Sequence, residues 1–230
     1  MSLTTEERIR NFRDERLGKI RKGDTPVKLE EAPKIVLHII PPSGVNPTAR
    51  FDISSLADKC RQFKLMYTDV LDCWFNFDGF LISGPCRELD IAKSYLQIFR
   101  NGSIEAVDAF ILGLRKNIPG SSFEKGLLDA LPQYVSIQKK LSVEPPLYIM
   151  LSLLGVRGYT MAYGLDDYGR RKQAHHPVDR DDLLLPEVVV EKFDCGLDKI
   201  MKLAFDPVWN ACGYASSMNY DQSENRIKQQ

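Results

Sequence analysis

Apolar and polar positions alternate most sharply over Ser94–Phe110, SYLQIFRNGSIEAVDAF, where two runs rich in apolar and β-branched residues flank Asn101-Gly102. Asn-Gly between such runs signals a β-hairpin, because a type I′ turn needs positive φ at both central positions. A two-residue loop sets Phe99 opposite Ile104, Ile98 opposite Glu105 and Leu96 opposite Val107. Side chains alternate between faces, so Tyr95, Phe99, Ile104 and Ala106 share one face. Leu96, Ile98, Arg100, Glu105 and Val107 share the other, which is mixed and is expected to meet water at one end. Lys34–Ile40, KIVLHII, is a continuous apolar run closed by Pro41-Pro42 and reads as a buried strand. Leu71–Phe77 alternates weakly, and Asp78-Gly79 supplies turn chemistry before Phe80–Ser83. A second hairpin therefore precedes the main one, with Trp74 and Phe77 as large core anchors, in an antiparallel meander from Leu71 to Leu112. Leu147–Tyr163 reads as a strand that bends or bulges near Gly155 or Gly158, and Leu183–Phe193 returns around Pro186 as an edge strand.

The period changes to 3.6 at four places. Thr4–Arg21 has a capping-box pattern in Thr4 and Glu7, an apolar stripe of Ile9, Phe12, Leu17 and Ile20, and a stop at Gly23. Glu6 with Arg10, and Glu15 with Lys19, are i,i+4 pairs in the favourable order. Asp52–Lys59 reads as a short helix capped by Asp52. Ser121–Leu141 reads as a long helix capped by Ser121 or Ser122 and kinked or split at Pro132. Leu197–Ala211 reads as a helix interrupted at Asp206-Pro207. Gly164–Asp182 is polar and expected to be a mobile loop, and the polar chain from Met218 onward is expected to fray. The class is α+β: an antiparallel β-sheet of meander hairpins with helices packed on one face, in a single domain over 1–220 with a flexible tail over 221–230.

Charge narrows the function classes. The 230 residues carry 31 basic and 31 acidic side chains, so the basic excess of a dedicated nucleic-acid binder is missing. Seven bases nevertheless fall between Arg8 and Lys22; they read as a solvated face, with a phosphate- or partner-facing stripe as the alternative. Five cysteines lie far apart without a CxxC pair, as expected of reduced thiols in a cytoplasmic protein. No apolar run reaches about 18 residues, and no signal-peptide pattern opens the chain, so no membrane is expected.

Candidate chemistry is sparse. His38, alone in a buried run, reads as a core residue. Adjacent His175 and His176 point apart on a strand and lack a Cys or carboxylate set at ligand spacing. Gly155-Val156-Arg157-Gly158 lacks GxGxxG spacing and a Walker lysine, and no HExxH or GxSxG occurs. Arg100 and Glu105 are diagonal neighbours that read as an ion pair pinning the turn, with a ligand-binding pair as the alternative. No catalytic residue, metal or cofactor is assigned. The residues singled out for a ligand or partner are Tyr95, Arg100, Asn101 and Glu105 on the hairpin, and Arg13 and Arg16 on the first helix.

Five phrases carry a family resemblance: ERIRNFRDERLGKI at Glu7–Ile20, IVLHIIPPS at Ile35–Ser43, YLQIFRNGSIEAV at Tyr95–Val107, LSLLGVRGY at Leu151–Tyr159 and FDPVWNACGY at Phe205–Tyr214. From about Glu7 to Tyr220 the chain resembles the C-terminal region of bacterial proteins whose N-terminal part is a Schlafen-type AlbA-like domain, described as ATP-binding or DNA-binding. The resemblance implies an excised domain, or a free-standing version whose partner is encoded separately. It implies a non-enzymatic sensing or interaction module beside an AlbA-like domain protein, in cis or in trans, in transcription regulation or defence against foreign genetic elements. Nucleic acid reached through that partner, and self-association, are the further associations it allows. It brings no catalytic residues. One alternative is a nucleic-acid-binding module using the basic first helix and aromatics near Phe75, Phe77 and Tyr95. Another is a metal-dependent nuclease or other hydrolase using scattered carboxylates and His38.

Overall fold

The computed structural model describes residues 3–85, 91–165, 171–173 and 176–227. In chain order these form α1 (Thr5–Arg21), β1 (Lys28–Leu29), β2 (Lys34–Ile40), β3 (Asp72–Phe75), β4 (Gly79–Ser83), β5 (Ile91–Ala92), β6 (Ser94–Phe99), β7 (Ile104–Asp108), β8 (Asn117–Pro119) and α2 (Gly120–Lys140). There follow β9 (Leu147–Leu154), β10 (Thr160–Leu165), β11 (Arg171–Gln173), β12 (Asp182–Leu184), β13 (Val188–Val190) and α3 (Leu197–Asn210). The α+β class holds. One antiparallel sheet runs β12-β9-β2-β7-β6-β4-β3, and β13 also pairs with β9. β8, β10 and β11 make a second small sheet; β1 and β5 pair alone.

β2 sits between β9 and β7 and is covered on both faces, which is why its sequence from Ile35 to Ile40 is apolar except for His38. Ile35, Leu37, Ile39, Ile82, Leu96, Ile98, Ile104 and Ala106 face Phe123, Leu127 and Leu131 of α2 and Phe205 and Trp209 of α3. The opposite face carries Val36, Leu81, Tyr95 and Val107, packed on Leu17 and Ile20 of α1, with Ile40 and Met150 on Ile9. Cover therefore extends beyond one face: α1, with its capping box formed as expected, closes the second.

The main hairpin differs from expectation by one residue of register. Ile98 pairs with Ile104, Gln97 with Glu105, Leu96 with Ala106 and Tyr95 with Val107. The Phe99 N–H donates to the Ser103 carbonyl at 2.9 Å, leaving a three-residue loop of Arg100, Asn101 and Gly102. Only Gly102 takes positive φ, +87°, as in a three-residue hairpin loop with glycine in the left-handed position. Asn101 supports this loop with its side chain, accepting from the Ser103 N–H at 3.0 Å and donating to the Gly44 carbonyl at 2.8 Å. A one-residue slip exchanges the faces of one strand against the other. Glu105 and Val107 thus join Tyr95 and Phe99 on the side under α1, while Leu96 and Ile98 face the α2 and α3 core, so neither half of the face expected to meet water is wet. The Arg100–Glu105 pair does not form, because Arg100 stands in the loop, its Nε 3.5 Å from the Phe77 carbonyl.

The second hairpin turns at Phe77-Asp78, with the Asn76 N–H on the Gly79 carbonyl. Trp74 and Phe77 are not core anchors: β3 is the last strand of the sheet, leaving Trp74 38% exposed, and Phe77 at the turn tip is 96% exposed. α2 and α3 run unbroken through Pro132 and Pro207, and α2 starts at Gly120 without a side-chain cap. The helix after Asp52 is 3-10, Ser54–Gln62, opened by Asp52 accepting from the Ser54 N–H. Leu147–Tyr163 is two elements: Gly155 and Gly158, both at positive φ, turn the chain from β9 out to β10. β12 and β13 flank β9 as the edge strands expected around Pro186. β11 and His176 fall in the stretch read as a loop, whereas His175 lies outside the described residues.

Cys60 and Cys73 form a disulfide that ties the 3-10 helix to β3, correcting the reading of all five cysteines as reduced thiols. Cys195 and Cys212 are free, and Cys86 lies outside the described residues. The chain beyond Ser217 is anchored rather than frayed: Asn219 and Tyr220 are buried, and the Tyr220 hydroxyl donates to the Asp198 carbonyl.

Gly102 sets the loop. A Cβ there would lie 2.7 Å from the Val143 side chain, so Gly102→Ala is expected to lower stability in urea unfolding by about 1–3 kcal/mol. An unchanged midpoint would contradict the loop geometry.

Candidate functional site

The second face of the sheet carries a charge. Glu105 on β7 stands beside His38 on β2 and points at α1. Its Oε1 accepts from Arg16 Nη2 at 2.7 Å and from the Tyr95 hydroxyl at 2.7 Å; its Oε2 accepts from Arg16 Nε at 2.8 Å and from His38 Nε2 at 2.9 Å. Glu105 and His38 side chains are wholly buried, and Arg16 is 11% exposed. Burial alone would raise the Glu105 carboxyl. Hydrogen bonds from Arg16 and His38, with the positive charge of Arg16, outweigh it and hold the carboxyl at about 2. Burial, and then the neighbouring carboxylate, push the Tyr95 phenol far above its ordinary range. Donation to Glu105 comes from His38 Nε2, and among the described residues Nδ1 has no partner. The Arg16 guanidinium also lies 5.3 Å from the centre of the Phe99 ring.

Four donors fill the two oxygens, which leaves this carboxylate little capacity for a substrate proton. What the arrangement does is dock α1. Other bases of the helix reach across as well, or pair along it. Arg8 donates to the Val45 carbonyl, Arg10 pairs with Glu187 rather than Glu6, Arg13 with Asp14, Lys19 with Glu15 and Arg21 with Asp182. Arg8, Arg10, Arg16 and Arg21 thus reach partners outside the helix, while Arg13 and Lys19 pair with acids of α1 itself; part of the stripe docks the helix and the rest remains a solvated face. Exposed pairs of this kind contribute only about 0.2–1 kcal/mol each, so the buried Arg16–Glu105 pair dominates. Tyr95, expected among the exposed aromatics, is inside; Phe75 and Phe77 are outside.

Two further buried carboxylates escaped sequence reading, since neither sits in a motif. Asp108 Oδ1 accepts from the Phe110 and Ile111 N–H groups at 3.0 and 2.9 Å, capping the turn after β7, while Oδ2 has no partner among the described residues. Burial raises this carboxyl to about 7. Glu124 Oε1 accepts from Trp209 Nε1 at 2.8 Å and from the Ser217 hydroxyl at 2.5 Å, joining α2, α3 and the C-terminal segment. Burial raises its carboxyl as well.

The other two hairpin candidates, Arg100 and Asn101, lie elsewhere. With Arg50, Phe77, Asp78 and Phe99 they line an open cleft of about 350 Å³ at the hairpin tips. Backbone hydrogen bonds lock its walls together: the Phe51 N–H to the Arg100 carbonyl at 2.8 Å, and the Arg100 N–H to the Asp78 carbonyl at 3.0 Å. Arg50 belongs to a loop without periodicity, so only the fold brings it here. A larger hollow of about 850 Å³ beside the disulfide is lined by Arg61, Lys64, Asp69, Asp72 and Asp129 among others. Among the described residues, no three His, Cys, Asp or Glu side chains cluster to hold a metal ion, and no helix is long and apolar enough to cross a membrane.

No protein-family model, curated protein or solved structure matches this chain. The AlbA-associated resemblance accordingly rests on its five sequence phrases.

Glu105→Gln keeps the shape but leaves the Arg16 charge unpaired, so urea unfolding at pH 7 is expected to show a loss of about 3–5 kcal/mol. A carboxyl held low in the fold contributes fully above its ordinary value of 4.5 and fades as pH falls toward 2. The wild-type advantage over Glu105→Gln should shrink across that window. A carboxyl held high works in the opposite sense: the folded state keeps a proton that the unfolded state releases, so stability falls as pH climbs from 3.8 to about 7. Asp108→Asn should flatten that fall in urea titrations; an unaltered pH profile would contradict the assignment.

Proposed function

We propose that this chain is a non-enzymatic sensing and interaction module that works beside a Schlafen-type AlbA-like DNA- or nucleotide-binding protein, in cis or in trans, in transcription regulation or defence. The observation that supports this reading is the outer edge of the sheet. Among the described residues β3 pairs on one side only, and the hairpin it forms with β4 exposes Leu71, Trp74, Phe75 and Phe77. A sheet edge rimmed with exposed aromatic rings is a template for strand addition by a partner. The Cys60–Cys73 bond braces that edge against the 3-10 helix and holds it in place. By contrast, the buried polar network at Glu105 is engaged inside the molecule. His38, which a hydrolase reading would need at a substrate, is wholly buried against Glu105.

The occupant of the edge is the AlbA-like domain protein. Co-expression should give a complex that co-elutes in size exclusion. Phe77→Ser should change stability by no more than about 0.5 kcal/mol, as for surface substitutions generally, while combined with Phe75→Ser it should weaken the complex at least about tenfold. Separate elution of the two wild-type proteins would overturn the reading, as would a complex indifferent to both substitutions.

A further inference from the structure

We propose that the cleft at the hairpin tips binds a nucleoside phosphate, with the base on the Phe77 ring and the phosphate between Arg50 and Arg100. This names the chemistry sensed, and so rests on the sensing half of the reading above. Three features of the cleft carry it.

The first is its cations. Neither Arg50 nor Arg100 has a carboxylate within ion-pair distance among the described residues, unlike Arg10, Arg13, Arg16 and Arg21 of α1. Arg50 Nη1 is steered by the Pro47 and Ala49 carbonyls at 3.3 and 2.7 Å. Arg100 is steered through its Nε by the Phe77 carbonyl at 3.5 Å. Each guanidinium is thus oriented by backbone oxygens and keeps charge for an anion. The one acid in the cleft, Asp78, also adds its charge to the surroundings of Arg16. Two bases against one acid leave the cleft net positive on a chain of zero net charge.

The second is the platform. A phenylalanine 96% exposed at a turn tip gains nothing from the core, yet it lines the same cleft as both arginines. Such an exposed ring can stack on a base, and every base offers a face. Asp78 supplies an acceptor for an exocyclic amino group, which favours adenine over uracil. The third is size and rigidity. About 350 Å³ lies at the small-molecule end of binding-site volumes. It fits one nucleotide, not a duplex. The backbone bonds from Phe51 to Arg100 and from Arg100 to Asp78 hold the walls in place without a ligand.

AMP and a ten-residue oligo(dA) share this chemistry and separate its two sources, a free nucleotide and a single strand. Binding of each to the full chain is measured by calorimetry and fluorescence anisotropy at several salt concentrations. Saturable binding of either supports the proposal; binding of the oligonucleotide alone assigns the site to a strand. Phe77→Ser should weaken binding about 5- to 150-fold, the equivalent of one lost stack. Arg50→Ala and Arg100→Ala should each weaken it and flatten its salt dependence, while Arg115→Ala, outside the cleft, should do neither. Arg50→Glu gives a charge-reversal check at an exposed side chain, should Arg100→Ala disturb the hairpin. Absence of binding by both probes would overturn the proposal. So would binding that Phe77→Ser and Arg50→Glu leave intact, or that Arg115→Ala weakens equally. Co-elution of Arg50→Glu with the AlbA-like protein separates the two readings. A retained complex without nucleotide binding removes only the cleft proposal; nucleotide binding without a complex removes only the partner.

Discussion

A carboxylate cannot be buried in an apolar sheet unless its charge is met, and the architecture turns on how Glu105 is met. Arg16 reaches it from a helix 89 residues earlier in the chain, and His38 from the neighbouring strand. That requirement fixes where α1 lies, which of its sides faces the sheet, and how far along it stops. With α1 in place both faces of β2 are dry beyond Lys34, so from Ile35 to Ile40 β2 needs apolar side chains at every position but His38, and His38 is acceptable because Glu105 takes its proton donor.

The same constraint separates what was legible in the sequence from what was not. α1 was legible: Thr4 and Glu7 cap it, Ile9, Leu17 and Ile20 mark its buried side, and Gly23 follows its end, all within one continuous stretch of chain. β2 was legible because burial on two faces writes an unbroken apolar run. Both hairpins were legible as hairpins. Their registers and exposures were not. Asn-Gly fits a two-residue loop, but Asn101 is engaged by Gly44, from a loop 57 residues away, and the turn widens to three residues. Trp74 and Phe77 look like core residues to any hydrophobic scale, and nothing local reports that β3 ends the sheet.

The prolines in α2 and α3 show a related limit. A proline inside a helix costs about 3 kcal/mol, and local rules break the helix there. Leu131, Tyr134 and Val135 beside Pro132, and Phe205, Val208 and Trp209 around Pro207, are buried on the same core, and continuous packing of that face offsets the cost. Arg10, Arg16 and Arg21 were visible as bases, but their partners Glu187, Glu105 and Asp182 lie 89 to 177 residues away. A charge run and a docking surface look identical until the chain is folded.

Charge engaged inside and aromatic surface left outside are therefore two sides of one economy, and the first can be tested directly. Urea unfolding of wild type, Arg16→Met, Glu105→Leu and the double variant forms a closed cycle. Docking through a buried pair predicts that each single change strands a charge, and that the double variant is more stable than the summed losses imply, with a coupling of at least about 2 kcal/mol. Losses that add to within about 0.5 kcal/mol would mean that the two residues act independently, and that Glu105 does not hold the helix.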